Sequence, residues 1–140
     1  MGDVHFTFDI DGTPDAIRRA LTTTEGISSF WTDQAKIPTE VGETLTLGFP
    51  DSPAAFDLVL AQSDDEMITW RTVTFPPQWV GTDIRWRISG GDETSTVAFQ
   101  HGTFADETEE GQVAYVWGQV MVQLKRYVET GTAAPVFVNT

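Results

Sequence analysis

Residues 112–131 read QVAYVWGQVMVQLKRYVETG. Val113, Trp117, Val120, Met121, Leu124, Tyr127 and Val128 recur at i, i+3, i+4 and i+7 spacings, which makes one apolar stripe along an α-helix. The spacing predicts a helix from Gln112 to Thr130, stopped by Gly131, a residue suited to a left-handed C-terminal cap. Such a helix measures about 28 Å, long enough to lie across the whole concave face of a strongly curved sheet.

The chain before it supplies that sheet. Val4, Phe6, Phe8 and Ile10 alternate with His5, Thr7 and Asp9, the period of a strand with one face buried. Asp11-Gly12 breaks the strand, and Thr13-Pro14 opens a helix, with Thr13 as N-cap and Pro14 where a missing N–H costs nothing. Ile17, Ala20 and Leu21 form the stripe of this short helix, which ends near Thr23. Ile27, Phe30 and Trp31 mark a second one, from Glu25 to Trp31. From Gln34 to Thr103 the period changes to two. Leu45, Leu47 and Phe49 form one set; Phe56, Leu58 and Leu60 the next; then Ile68, Trp70 and Thr72. Val80, Thr82, Ile84, Trp86 and Ile88 follow Pro76-Pro77, and after the hairpin signal Gly90-Gly91-Asp92 come Val97, Phe99 and His101. One-sided alternation describes an antiparallel sheet with one wet face. The expected architecture is therefore α+β: a helix-grip fold, with a curved antiparallel sheet of six to seven strands wrapped around the long C-terminal helix. Two short helices follow the first strand. Residues 1–131 form a single domain in this reading. The tail 132–140 carries Val136, Phe137 and Val138, suited to docking on a surface that the sequence does not reveal.

Composition narrows the function classes. The chain has 140 residues, enough for one domain with a real core. Acidic residues number 21 against eight basic ones, a net charge of −13, so a polyanion is repelled and no Lys/Arg cluster exists to release its counterions. Nucleic acid is excluded as a partner on this ground, and an anionic membrane surface is disfavoured. No Cys is present, which removes disulfides, thiolate catalysis and Cys-based metal sites. The N-terminus MGDVHFTFDI has neither the basic nor the long apolar region of a signal peptide, and no stretch is long enough to insert into a bilayer. The expected location is cytoplasmic. His5 and His101 lie on separate strands without HxH or HExxH spacing, so no metal site is expected, and no phosphate-binding loop or nucleophile elbow is present.

Four stretches together resemble a known superfamily: TPDAIRRALTTTEGISSFW (13–31), VGETLTL (41–47), TVAFQHGTF (96–104) and WGQVMVQLKRYVETG (117–131). In order and spacing they are similar to the START-like (SRPBCC, Bet v 1-like) superfamily, and within it to the family named for activators of the heat-shock protein 90 ATPase. Two positions depart from that family: Phe30 stands where a second Trp is usual, and Trp117-Gly118 replaces the frequent Gly-Trp. The resemblance implies an apolar internal cavity with no metal and no cofactor. Members bind lipids, sterols, polyketides or plant metabolites, and a minority catalyse cyclisation or dehydration. The co-chaperone activity of the named activator also draws on a separate N-terminal domain, for which 140 residues leave no room.

The candidate ligand-binding set is Trp31, Phe49, Trp70, Trp86, Phe99, His101, Trp117 and Met121. Five Trp is a high number for this length, and bulky rings either fill a core or line a pocket. Facing one another between sheet and helix, these rings overfill the space unless they surround a void. Trp31 is placed to guard the cavity mouth. His101 reads two ways: a buried neutral imidazole satisfied by a neighbour, or a ligand contact and general base. Arg71, Arg85 and Arg87 alternate to the outer face as cross-strand partners for the acids. The expected function is binding of a small hydrophobic or amphipathic molecule between sheet and helix, with no catalytic residue assigned. The alternatives are a polyketide cyclase/dehydratase-like enzyme and a chaperone-linked protein-interaction module.

Overall fold

A computed structural model of the chain describes residues 2–104 and 106–138. Seven strands form one antiparallel sheet: β1 (Gly2–Asp11), β2 (Gln34–Lys36), β3 (Thr44–Gly48), β4 (Phe56–Ser63), β5 (Met67–Thr72), β6 (Asp83–Gly90) and β7 (Thr94–Phe104). Their spatial order is β1-β7-β6-β5-β4-β3-β2, so β1 and β2 are the two edges. The short helices α1 (Pro14–Thr22) and α2 (Thr24–Phe30) carry the chain from one edge to the other, and α3 (Glu107–Thr130) lies in the grip of the curved sheet.

Local chemistry explains the starts and stops. Thr13 caps α1 by accepting from Ala16 N at 3.1 Å, and Thr23 caps α2 by accepting from Gly26 N at 3.0 Å. At the corner between these helices only glycine fits at position 26, because a Cβ there would lie 2.2 Å from the Ala20 carbonyl oxygen. The β6–β7 hairpin turns at Gly90, whose φ of 143° a side chain rarely adopts, and Gly91 N donates to Thr94 O at 3.1 Å. Gly131 ends α3 at φ 76°, with its N–H donating to Tyr127 O at 2.8 Å.

Three sequence expectations change. The long helix starts five residues earlier than Gln112, at Glu107. Its first turn is wholly polar and so invisible to the apolar stripe; it is fixed by Asp106, which accepts from Thr108 N at 2.7 Å, and by Glu107, Glu109 and Glu110 at the positive end of the helix dipole. Val80 and Thr82 are not strand residues. Pro77–Trp79 forms a 3₁₀ turn, Thr82 N donates back to Trp79 O at 2.8 Å, and β6 begins only at Asp83. Phe49 lies one residue beyond β3 and is half-buried rather than inward on a strand.

The core lies between α3, the short helices and the concave face. Ile17, Leu21, Ile27, Leu58, Ile84, Val97, Val120 and Leu124 are all fully buried. Each such side chain stabilises the fold by about 1.5–3 kcal/mol relative to exposure. On the outer face Arg71 and Asp83 stand opposite each other and pair at 2.8 Å, and Arg85 reaches the same carboxylate at 2.9 Å. The tail has a definite seat. Ala134 N donates to Ser29 O, and Phe137 N to Trp31 O, both at 2.9 Å, while Phe137 O accepts from Asp33 N at 3.2 Å. Val136 and Phe137 are half-buried along the end of α2, and Val138 is exposed; positions 139–140 of the tail lie outside the described residues. No helix among the described residues is long and apolar enough to cross a membrane.

Candidate functional site

His101 stands between Val4 and Ile84 in the sheet register and is completely buried. Trp117 Nε1–H donates to its Nδ1 at 3.0 Å, so the imidazole proton sits on Nε2. That nitrogen lies 3.0 Å from Thr82 Oγ1 and donates to it, and Thr82 in turn donates to the Trp79 carbonyl at 2.6 Å. Both ring nitrogens are therefore used within the fold. Burial pushes the His101 pKa down to about 3, against the opposing pull of Asp3 and Asp83, and so keeps it neutral. The ring is further enclosed edge-to-face by Trp79 at 4.6 Å and Phe104 at 4.8 Å.

Beside it the large rings pack directly on one another. Trp31 stacks on Trp70 at 5.9 Å and meets Trp117 at 4.9 Å; Trp70 meets Trp86 at 5.5 Å edge-on. Phe99 touches both Trp86 and Trp117 at 4.7 Å. The rings expected to surround a void are in direct contact with one another. Stacked, tilted and edge-on contacts alternate through the cluster. Met121 is buried beside them on α3, 5% exposed.

An apolar-lined pocket lies at one end of the grip. It measures about 340 Å³ and is bounded by Phe49, Asp51 and Ser52 after β3, by Phe56 on β4, and by Gln78 and Trp79 of the 3₁₀ turn. Gln112, Val113 and Val116 of α3 form another side, Phe137 of the tail closes it, and Trp31 lines its inner end. The walls are held by ring contacts: Phe49–Phe56 at 4.4 Å, Phe49–Phe137 at 5.1 Å and Phe56–Trp79 at 5.3 Å.

Of the eight candidates, the structure brings Trp31 and Phe49 into this lining. Trp70, Trp86, Phe99, His101, Trp117 and Met121 are buried behind it. Phe56, Trp79, Val113, Val116 and Phe137 line it without having been singled out. Partial signals existed: Val113 belongs to the helix stripe, Phe56 to a strand alternation and Phe137 to the apolar tail. Trp79 had none, because it lies in the turn that the alternation ran past. Among the described residues Asp51 is the only ionisable side chain in the lining. Among the described residues no three His, Asp or Glu side chains are placed to hold a metal ion.

No family model matches the chain, and neither does any curated protein. Solved structures do. The solution structure of the Aha1 dimer from Colwellia psychrerythraea superposes with a TM-score of 0.83 at 23% identity, over 94% of this chain and 98% of that one. The chain has the Bet v 1-like helix-grip fold. A crystal structure of DynU16, from the dynemicin biosynthetic locus, shares this Bet v 1-like fold at TM-score 0.81 and 18% identity, covering 99% of this chain but 51% of that longer one. CalU16 from Micromonospora echinospora matches at TM-score 0.71 and 15% identity, over 95% of this chain and 77% of that one. At these identities what is shared is the Bet v 1-like fold.

Proposed function

We propose that the protein binds a small apolar or amphipathic molecule in the pocket at the open end of the grip. The observation that carries this reading is the pocket itself: about 340 Å³, lined by Trp31, Phe49, Phe56, Trp79 and Phe137 together with the polar side chains Asp51, Ser52, Gln78 and Gln112. A volume of about 300–1,000 Å³ with mostly apolar walls is typical of small-molecule sites. Binding is favoured over cyclase or dehydratase chemistry because proton transfer needs positioned acid and base groups. Here the lining offers one carboxyl, Asp51, and the imidazole of His101 is enclosed and doubly hydrogen-bonded.

The test uses the uncharged fluorophore N-phenyl-1-naphthylamine. It is expected to bind saturably and quench Trp emission, with Trp31 and Trp79 as neighbouring donors. Val116→Trp places a ring in the pocket from a half-buried position on α3, and should weaken binding by at least about tenfold at unchanged thermal midpoint. Absence of saturable binding by the folded wild type, or undiminished binding by the variant, overturns the reading.

A further inference from the structure

Resting on that reading of the pocket, we infer that its ligand is an organic cation: an apolar body carrying a protonated amine or quaternary nitrogen. Two independent features of the lining converge on this. Five of the lining residues are aromatic, Trp31, Phe49, Phe56, Trp79 and Phe137, and the face of such a ring carries the negative lobe of its quadrupole. A cation held over such faces is attracted, most strongly by Trp. The second feature is charge. Among the described residues Asp51 is the only charged one in the lining, and it has no ion-pair partner there. None of the eight basic residues lines the pocket; Arg71 and Arg85 are turned to Asp83 on the outer face, and Lys125 to Glu129 near the end of α3. An anionic ligand such as a fatty-acid carboxylate therefore finds no counter-charge and meets a carboxylate instead. The net charge of −13 acts in the same direction over a longer range.

The position of Asp51 suits this role. It projects from the loop after β3 at φ 63°, a left-handed conformation that Asp and Asn adopt more readily than other side chains. Asp51→Asn consequently removes the charge while keeping a residue that tolerates the backbone.

The experiment is isothermal titration of three matched probes in about 0.15 M salt, where long-range attraction is largely screened. The probes are 1-naphthylmethyl-trimethylammonium, 1-naphthalenemethanol and 1-naphthaleneacetate. Wild type is expected to bind the ammonium about tenfold more tightly than the alcohol, and the acetate more weakly than both. Asp51→Asn should abolish most of that preference, read as the ratio of the ammonium's affinity to the alcohol's. Asp92→Asn, an equal charge change in the β6–β7 turn far from the pocket, should retain it. The inference is overturned by equal affinities, by a preference that survives Asp51→Asn, or by one that Asp92→Asn removes equally. Failure of the alcohol and the ammonium alike to bind overturns the pocket reading itself, whereas binding of the alcohol without cation preference overturns only the ligand class.

Discussion

Acid should destabilise this protein through one buried histidine. His101 is held neutral in the fold with a pKa pushed down to about 3, against 6.5 when it is free. Below pH 6.5 the unfolded chain takes up a proton that the folded chain refuses, so stability present at neutral pH is lost as pH falls from 6.5 toward about 3. Each pH unit within that window costs about 1.4 kcal/mol, so a drop to about pH 4.5 removes roughly 2–3 kcal/mol. Asp64 and Glu129 also have lowered pKa values, from hydrogen bonds to Gln62 and to the Asp11 backbone respectively. Their contribution is lost only below their ordinary values of 3.8 and 4.5, which separates them from the histidine. The assay is urea unfolding followed by Trp fluorescence at about pH 7.5 and pH 4.5, for wild type and His101→Gln. The variant should be less stable at neutral pH, having disturbed the bonds to Trp117 and Thr82, but should lose most of the acid slope. Equal wild-type stability at the two pH values, or an unchanged slope in the variant, would refute the buried neutral imidazole.

Met121→Trp forces a ring into close packing, since Met121 is 5% exposed, and should destabilise by about 1–3 kcal/mol without weakening probe binding. An unchanged midpoint would mean that empty space lies there after all. Gly26→Ala should cost roughly 2–4 kcal/mol, because its Cβ would meet the Ala20 backbone at 2.2 Å and the α1–α2 corner must open. Thermal melts of the two proteins decide it, and coincident curves would show that the corner is loose.

The fold was legible where local chemistry repeats. The Val113–Val128 stripe, the Thr13-Pro14 cap and the Gly90-Gly91 turn each act within a few residues, so periodicity and cap rules find them. The first turn of α3 was missed because its stabilisation is electrostatic, by Asp106 and three glutamates, and leaves no apolar period. The inward direction of His101 was legible from Val97 and Phe99. Its partners were not, since Thr82 and Trp117 lie 19 and 16 residues away. The ring cluster exposes a limit of pattern reading: alternation says that Trp70 and Trp86 point inward, but whether rings enclose a void or interlock depends on their angles. The pocket depends in addition on the tail, which docks through backbone hydrogen bonds to Ser29 and Trp31 that no side-chain pattern encodes.

Five indole N–H groups make the location of a bound ligand directly observable. In a ¹⁵N-labelled sample titrated with 1-naphthalenemethanol, the indole signals of Trp31 and Trp79, which line the pocket, should shift together and saturate. Those of Trp70 and Trp86, buried behind the lining, should stay in place. Movement of Trp70 and Trp86 with Trp31 and Trp79 unmoved, or no movement at all, would contradict a binding site at the open end of the grip.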